Sequence, residues 1–311
     1  MHVLIPFAHV ASAEGTLALD DLTLPCLEAL LPLLTQSARD DGDEASLTPP
    51  HERALARVFG LAGADGRLPW AARMAAMDGI DTGDLAWGLL TPVHCAVGAD
   101  QVIMQDPETL ALGASESNAL FSAIKPLFIG EGLVMAWGAP LRWYVAHESL
   151  AELATASLDR VIGGPVIPWL PPAADIPLVG RLLAEAQMLL HGHEVNRARE
   201  ERGRQPVNAV WLSSCGAAQT TRERHRFVVL NDLRGPAFAQ DWDAWRAAWH
   251  AVDGGALREL LSRARKQHER VRLTLCGTRN AVQFDRVPLG RVAELQRRFT
   301  PPQVVELLAS L

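Results

Sequence analysis

Between positions 191 and 208 the chain gathers His191, His193, Asn196, Arg199 and Asn208 around a predicted helix break, a second short helix and the start of a strand. An arginine fork grips a carboxylate or phosphate through two parallel N–H bonds. An asparagine carboxamide orients a hydroxyl or closes a turn. Arg142 and the Asp159-Arg160 pair add the same kinds of group upstream. Arg142, Asp159, Asn196, Arg199 and Asn208 therefore form a candidate binding set for a small phosphorylated or carboxylated metabolite. In the competing reading, the arginines are neutralised by acids such as Asp159, Glu194 and Glu200 and serve only as ion pairs.

His51, in the run Thr-Pro-Pro-His-Glu, is the candidate catalytic group, because imidazole can carry a covalent phosphoryl group. The alternative is a first-turn helix residue following Pro49-Pro50. His191 and His193 stand two apart, whereas paired helical metal ligands stand four apart, so no metal is expected there. Cys26, Cys95, Cys215 and Cys276 form no C-x-x-C and read as reduced thiols. The acidic run Asp40 to Glu44 lacks the spacing of a calcium loop. No metal and no cofactor are expected.

The elements that must position these groups follow from periodicity and punctuation. Strands are predicted at 2–8, 85–97, 101–104, 133–137, 142–146, 207–212, 227–230 and 271–275. The turn between 133–137 and 142–146 is placed at Gly138-Ala139-Pro140. Helices are predicted at 24–34, 52–59, 70–77, 115–128 with Ser115 as cap, 147–154, 182–191, 242–249, 256–267 and 302–311. Gly203 suits the end of the short helix that carries Arg199. Asp40 to Pro50 reads as a loop. Trp242, Trp245 and Trp249 share a helix face, as core packing or as a stripe for a protein partner. The pattern divides the chain into a first core part at 1–84, an inserted small α+β domain at 85–180 and a second core part at 181–311.

With 49% hydrophobic and 21% charged residues over 311 positions, the composition is that of a globular protein with room for a sizeable core. The formal net charge of -7 speaks against nucleic acid as a partner. Apolar runs broken by Pro, Gly or charge fall short of a membrane span, and no secretory leader is evident, so a cytoplasmic location is expected.

His193, Asn196, Arg199, Gly203, Asn208 and Gly216, with the segments ALARVFGL at 54–61, GRLPWAA at 66–72 and GIDTGDLAW at 79–87, carry a further signal. This sequence resembles the archaeal-type cofactor-independent phosphoglycerate mutases of the alkaline phosphatase superfamily. Within them it is most similar to a bacterial subgroup of RpfE-type regulatory proteins. The resemblance implies an α/β fold: an alkaline-phosphatase-like core with a mixed sheet, helices on both faces and an inserted α+β domain. It places Arg142 on the family's strand arginine and Asp159 on the aspartate of a His-Asp pair. It also implies two divalent metals and a serine nucleophile, which phosphoryl transfer needs for activation and charge neutralisation. Here the corresponding positions read Pro6-Phe7, Pro50-His51 and Cys276-Gly277. The expectation is a catalytically degenerate relative, a pseudoenzyme with a regulatory or anion-binding role. Two alternatives stay open: an active phosphotransferase rebuilt around His51, His9 and Asp20, and a pure protein-interaction module.

Overall fold

The structure is a computed structural model and describes residues 1–98, 100–172, 174–221, 227–266, 269–286 and 303–311. The chain opens with β1 (His2–Ile5), α1 (Ala13–Leu17), α2 (Pro25–Leu30), β2 (Thr35–Asp40) and α3 (Pro50–Phe59). The middle stretch holds α4 (Trp70–Met77), β3 (Ala86–Val93), β4 (Cys95–Val97), β5 (Val102–Met104), α5 (Ala114–Gly130), β6 (Val134–Ala139) and β7 (Arg142–Ala146). It continues through α6 (Leu158–Val161), α7 (Pro177–His191), α8 (Glu194–Glu201) and β8 (Ala209–Ala217). The last stretch carries β9 (Phe227–Val229), α9 (Arg234–Ala239), α10 (Trp242–Val252), α11 (Arg258–Ala264), β10 (Arg272–Cys276), β11 (Ala281–Asp285) and α12 (Val304–Ala309). The class is mixed α/β.

Two compact units share the chain. The first comprises Met1–Ala45, Pro49–Phe59 and Arg222–Leu311, and the second Ser46–Thr48 and Gly60–Thr221. The first unit is built on a mixed sheet of order β2-β11-β10-β1-β9. β1 runs parallel to both neighbours, while β11 and β2 are antiparallel additions. All four residues of β1 are buried, which suits a strand covered on both faces. Val3 and Ile5 point into a core with Leu27, Leu30, Trp245, Trp249, Leu260 and Leu308. Leu4 points the other way, toward Ala54 and Leu55 of α3. Helices thus cover both faces, as the strand's two-residue period requires. Trp245 and Trp249 are fully buried, so that helix face is core.

The second unit is built on an antiparallel sheet of order β6-β7-β3-β8. Leu90, Trp143, Val145, Val210 and Leu212 face α5 and α7. Trp87, Leu89, Tyr144 and Ala146 face the alanines of α4. The sequence pattern sets the insert at 85–180 and assigns 181–311 to the core, but β8 pairs antiparallel with β3 from Ala86 to Val93. Texture along a chain does not encode which strand it will pair with, so α7, α8 and β8 have different neighbours from those expected.

Other departures are local. β2, Thr-Gln-Ser-Ala-Arg-Asp, has no apolar alternation and is a strand only because β11 pairs with it. The helix predicted at 147–154 is a single 3-10 turn, Glu148–Leu150. The α5 cap is Gly113, whose N–H donates to the Glu116 carboxylate, rather than Ser115. β6 runs on to Ala139, which moves the hairpin turn to Pro140-Leu141. The expected helix ends at Gln267 and Pro302 lie outside the described residues.

A π-helical turn, Asp253–Leu257, joins α10 to α11 and brings the buried Asp253 to the start of α2. Its carboxylate accepts from the backbone N–H groups of Cys26 (3.0 Å) and Leu27 (2.9 Å). Leu24, at the cap position, makes no side-chain cap bond, so Asp253 supplies that function from 226 residues away. An anion at a helix N-terminus satisfies donors that have no partner inside the helix. Asp253→Ala is expected to destabilise the protein by about 1–3 kcal/mol, the cost of unsatisfied buried donors, in urea unfolding, with Asp253→Asn losing less.

Candidate functional site

Binding groups in α/β proteins collect at the carboxyl ends of parallel strands. In the first unit, β1 and β10 end side by side, with Ile5 opposite Leu275. The residues immediately beyond are Pro6-Phe7 and Cys276-Gly277. Phe7 has φ 55°, a left-handed conformation costly for a bulky side chain. Several contacts hold it there. Trp245 Nε1 donates to the Phe7 carbonyl at 3.1 Å, and the Ala8 N–H donates to the Cys276 carbonyl at 2.8 Å. The Phe7 ring packs against Phe238 at 4.9 Å and His51 at 5.3 Å between centroids. Cys276 is fully buried, and burial pushes its thiol pKa up, away from the thiolate that binds metals. A Cβ on Gly277 would stand 2.7 Å from the Leu311 side chain, so only glycine leaves room for that packed residue. The strand ends are thus filled with apolar packing.

His51 lies in the first turn of α3 and is buried against Phe7. His9 is buried too. Its Nδ1 has no hydrogen-bond partner, Nε2 lies 3.4 Å from Thr16 Oγ1, and burial lowers its pKa. Asp20 is exposed in a turn. The metal pair implied by the family resemblance does not fit these residues. Pro6, Phe7 and Gly277 offer no side-chain donor. Among the described residues, no group of three or more His, Cys, Asp or Glu stands close enough to hold an ion.

The candidate anion-binding residues all fall in the second unit, where Arg142, Asn196, Arg199 and Asn208 make specific internal bonds. Arg199, on α8, is 0% exposed. Its Nε donates to the Gln205 carbonyl (2.8 Å), Nη2 to the Leu110 carbonyl (2.6 Å) and Nη1 to Glu116 (2.6 Å). Burial alone would raise the Glu116 pKa. The Gly113 N–H, Arg199 and Arg202 outweigh it and hold the carboxyl below its usual value. Asn196 Nδ2 donates to the carbonyls of Leu190 and Val207, and its Oδ1 accepts the Val207 N–H at 2.8 Å. Asn208 brackets Cys95, accepting its N–H at 2.8 Å and donating to its carbonyl at 2.9 Å. Gly203, at φ 67°, makes the turn that returns the chain to Gln205 and Val207. The structure therefore brings Asn196, Arg199 and Asn208 together as staples of one helix-turn-strand. Asp159 sits half-buried in the first turn of α6, beside Arg160, whose Nε donates to the Ser46 carbonyl at 2.6 Å.

Arg142 belongs to a different cluster. Its Nε and Nη2 donate to the two oxygens of Asp78 at 3.0 and 2.9 Å. Tyr144 donates its hydroxyl to the same carboxylate at 2.7 Å. The Arg142 bonds, chiefly, pull the Asp78 pKa down; burial opposes them and Tyr144 adds to them. Burial and the Asp78 bond raise the Tyr144 pKa. Arg142 remains 43% exposed. Tyr144 was findable from sequence, because it lies two residues from Arg142 on the same strand face. Asp78, just past α4, carried no such signal.

No protein-family model matches this chain, and no curated protein sequence matches it. Among solved structures it is distantly similar to a cofactor-independent phosphoglycerate mutase from Thermoplasma acidophilum. That match has 15% identity and a TM-score of 0.38, and it covers 95% of this chain and 94% of that one. It is likewise similar to the PH0037 protein of Pyrococcus horikoshii, at 12% identity and a TM-score of 0.48, covering 99% of this chain and 97% of that one.

Two outcomes test these assignments. Arg199→Met should destabilise the second unit by about 1–3 kcal/mol, because it removes the donor to the buried Leu110 carbonyl and one of the two arginines on Glu116; wild-type stability in this variant would argue against the staple role. For Asp78 the folded pKa lies below its usual value of 3.8. The pair's stabilisation is therefore present above that pH and lost as pH falls through the lower folded value. Asp78→Asn should be less stable than wild type at neutral pH and show a flatter acid limb, read by thermal melts from pH 7 to pH 2.

Proposed function

We propose that this protein is a catalytically degenerate relative of the phosphoglycerate mutases and works by binding rather than by phosphoryl transfer. The observation that carries this reading is the filled crest of β1 and β10. Phe7, Cys276 and Leu311 occupy, as buried packing, the place where a metal-assisted transfer would need carboxylates and imidazoles. The imidazole of His51 is buried and set against the Phe7 ring, which leaves little room for a phosphoryl group to approach it. A regulatory role of the RpfE type is consistent with this chemistry. Arg199 and Asn196 are committed inside the second unit, so an anion-binding role for a phosphorylated or carboxylated metabolite rests on the half-exposed Arg142.

Protein purified in the presence of manganese or zinc should carry no stoichiometric metal by elemental analysis. A coupled phosphoglycerate mutase assay should show no metal-dependent turnover. Two tightly held equivalents together with turnover abolished by His51→Ala would instead establish an active site rebuilt around His51, His9 and Asp20.

A further inference from the structure

β8 is the last strand of its sheet, and a cavity of about 640 Å³ runs along its open side. Four successive residues of β8, Ala209 to Leu212, line it. Side chains alternate faces, so a wall of consecutive residues means that the cavity follows the strand's edge rather than either face. The hydrogen-bond phase of β3 fixes which backbone groups point there. Ala86 O accepts from His147 N, on the β7 side, and Val93 O accepts from Asn208 N, on the β8 side. Even-numbered residues of β3 thus face β7, and Leu89, Thr91 and Val93 face β8. Thr91 pairs with Trp211 and Leu89 with Ser213, so these two residues of β8 face β3. Val210 and Leu212 then turn their N–H and C=O groups away from β3 and toward the cavity, on the edge where the sheet adds no further strand.

The opposite wall is a helix face: Ile176, Gly180, Leu183 and Ala184 of α7 and its approach. The loop residues Ile167 and Leu170, 66% and 51% exposed, form a flank. Among the described residues, no carboxylate lines the cavity, and the one cation that does, Arg181, is already paired with Glu131 and Glu185. An unpaired strand edge is a template for another strand. A purely apolar small molecule would leave the β8 backbone groups unsatisfied, at the cost of buried unpaired donors and acceptors. We propose that this groove takes a short, uncharged, extended peptide segment of a partner protein. It would pair with Val210 and Leu212 as an added strand and send alternate apolar side chains toward α7, a recognition mode in which main-chain bonds give affinity and side-chain pockets give specificity. This site is separate from the strand crest on which the loss of catalysis rests.

Gly180 supplies the test. A Cβ there meets only Ile176 side-chain atoms, at 3.5 and 3.7 Å, which is ordinary contact. Gly180→Ala should leave the groove open, while Gly180→Leu fills it without disturbing the helix. The probe is a fluorescein-labelled hexapeptide alternating valine and serine, read by fluorescence anisotropy on the full chain, with two N-methylated versions blocking one or the other backbone edge. The expected result is saturable binding to wild type and Gly180→Ala, at least tenfold weaker for Gly180→Leu and for one of the two N-methylated peptides only. Absence of binding by the parent peptide, or equal binding by both N-methylated forms, overturns the proposal. Binding of dodecanoate without the peptide would assign the cavity to an apolar small molecule and also overturn it. A dimer in sedimentation that Gly180→Leu disperses would give the groove to a second copy of the chain and would likewise overturn the proposal.

Discussion

The hydrogen bonds that hold β1 between β9 and β10 are the constraint on which the first unit depends. They join His2–Ile5 to residues 227–229 and 272–275, so the opening residues of the chain are fixed only after its last third has been made. Contacts of such sequence separation carry a loop-closure cost before they return any stabilisation. Burial on both faces supplies the return: Val3 and Ile5 enter one core and Leu4 the other. Asp253 adds a second long-range tie by capping α2 from the π-turn. The same side-by-side placement of β1 and β10 sets Pro6-Phe7 beside Cys276-Gly277, so the architecture of the sheet and the character of its crest are one fact.

In the second unit the corresponding role belongs to buried polar groups. Arg199 is a cation with no exposure, a situation tolerated only when every direction of the guanidinium meets an acceptor. Two backbone carbonyls and Glu116 provide them, and in doing so they tie α8 to the start of α5 and to the segment before β8. Asn196 and Asn208 continue the arrangement into the strand. These are residue types that also recognise ligands, because the same donors serve either purpose. What distinguishes the two uses is whether the partner is supplied by the fold.

The strained Phe7 joins the architecture to the functional reading. A left-handed backbone at a bulky residue persists only where the surroundings over-determine it, and here a tryptophan N–H, two aromatic contacts and a neighbouring backbone bond do so. The conformation turns the ring into the space beyond the strand ends.

Periodicity and punctuation alone determined most elements, because they are local. Trp70–Met77 is helical from its alanine-rich composition, Val134 to Ala146 is a hairpin from its alternation although its turn falls at Pro140-Leu141, and Gly203 ends α8 because the turn needs positive φ. The lack of a ligating side chain at Pro6, Phe7 and Gly277 was likewise legible, since a side chain without a donor lacks one in any fold, whereas the Cys276 thiol is held protonated chiefly by its burial. Partnership was decided only in three dimensions. β2 is a polar run that becomes a strand through β11, and β8 leaves the expected core for β3 because backbone pairing carries no sequence label. Arg142 and Arg199 read alike in sequence. One is half-exposed beside Asp78 and the other is sealed against Glu116, and that difference rests on burial and on which distant carboxylate the fold delivers.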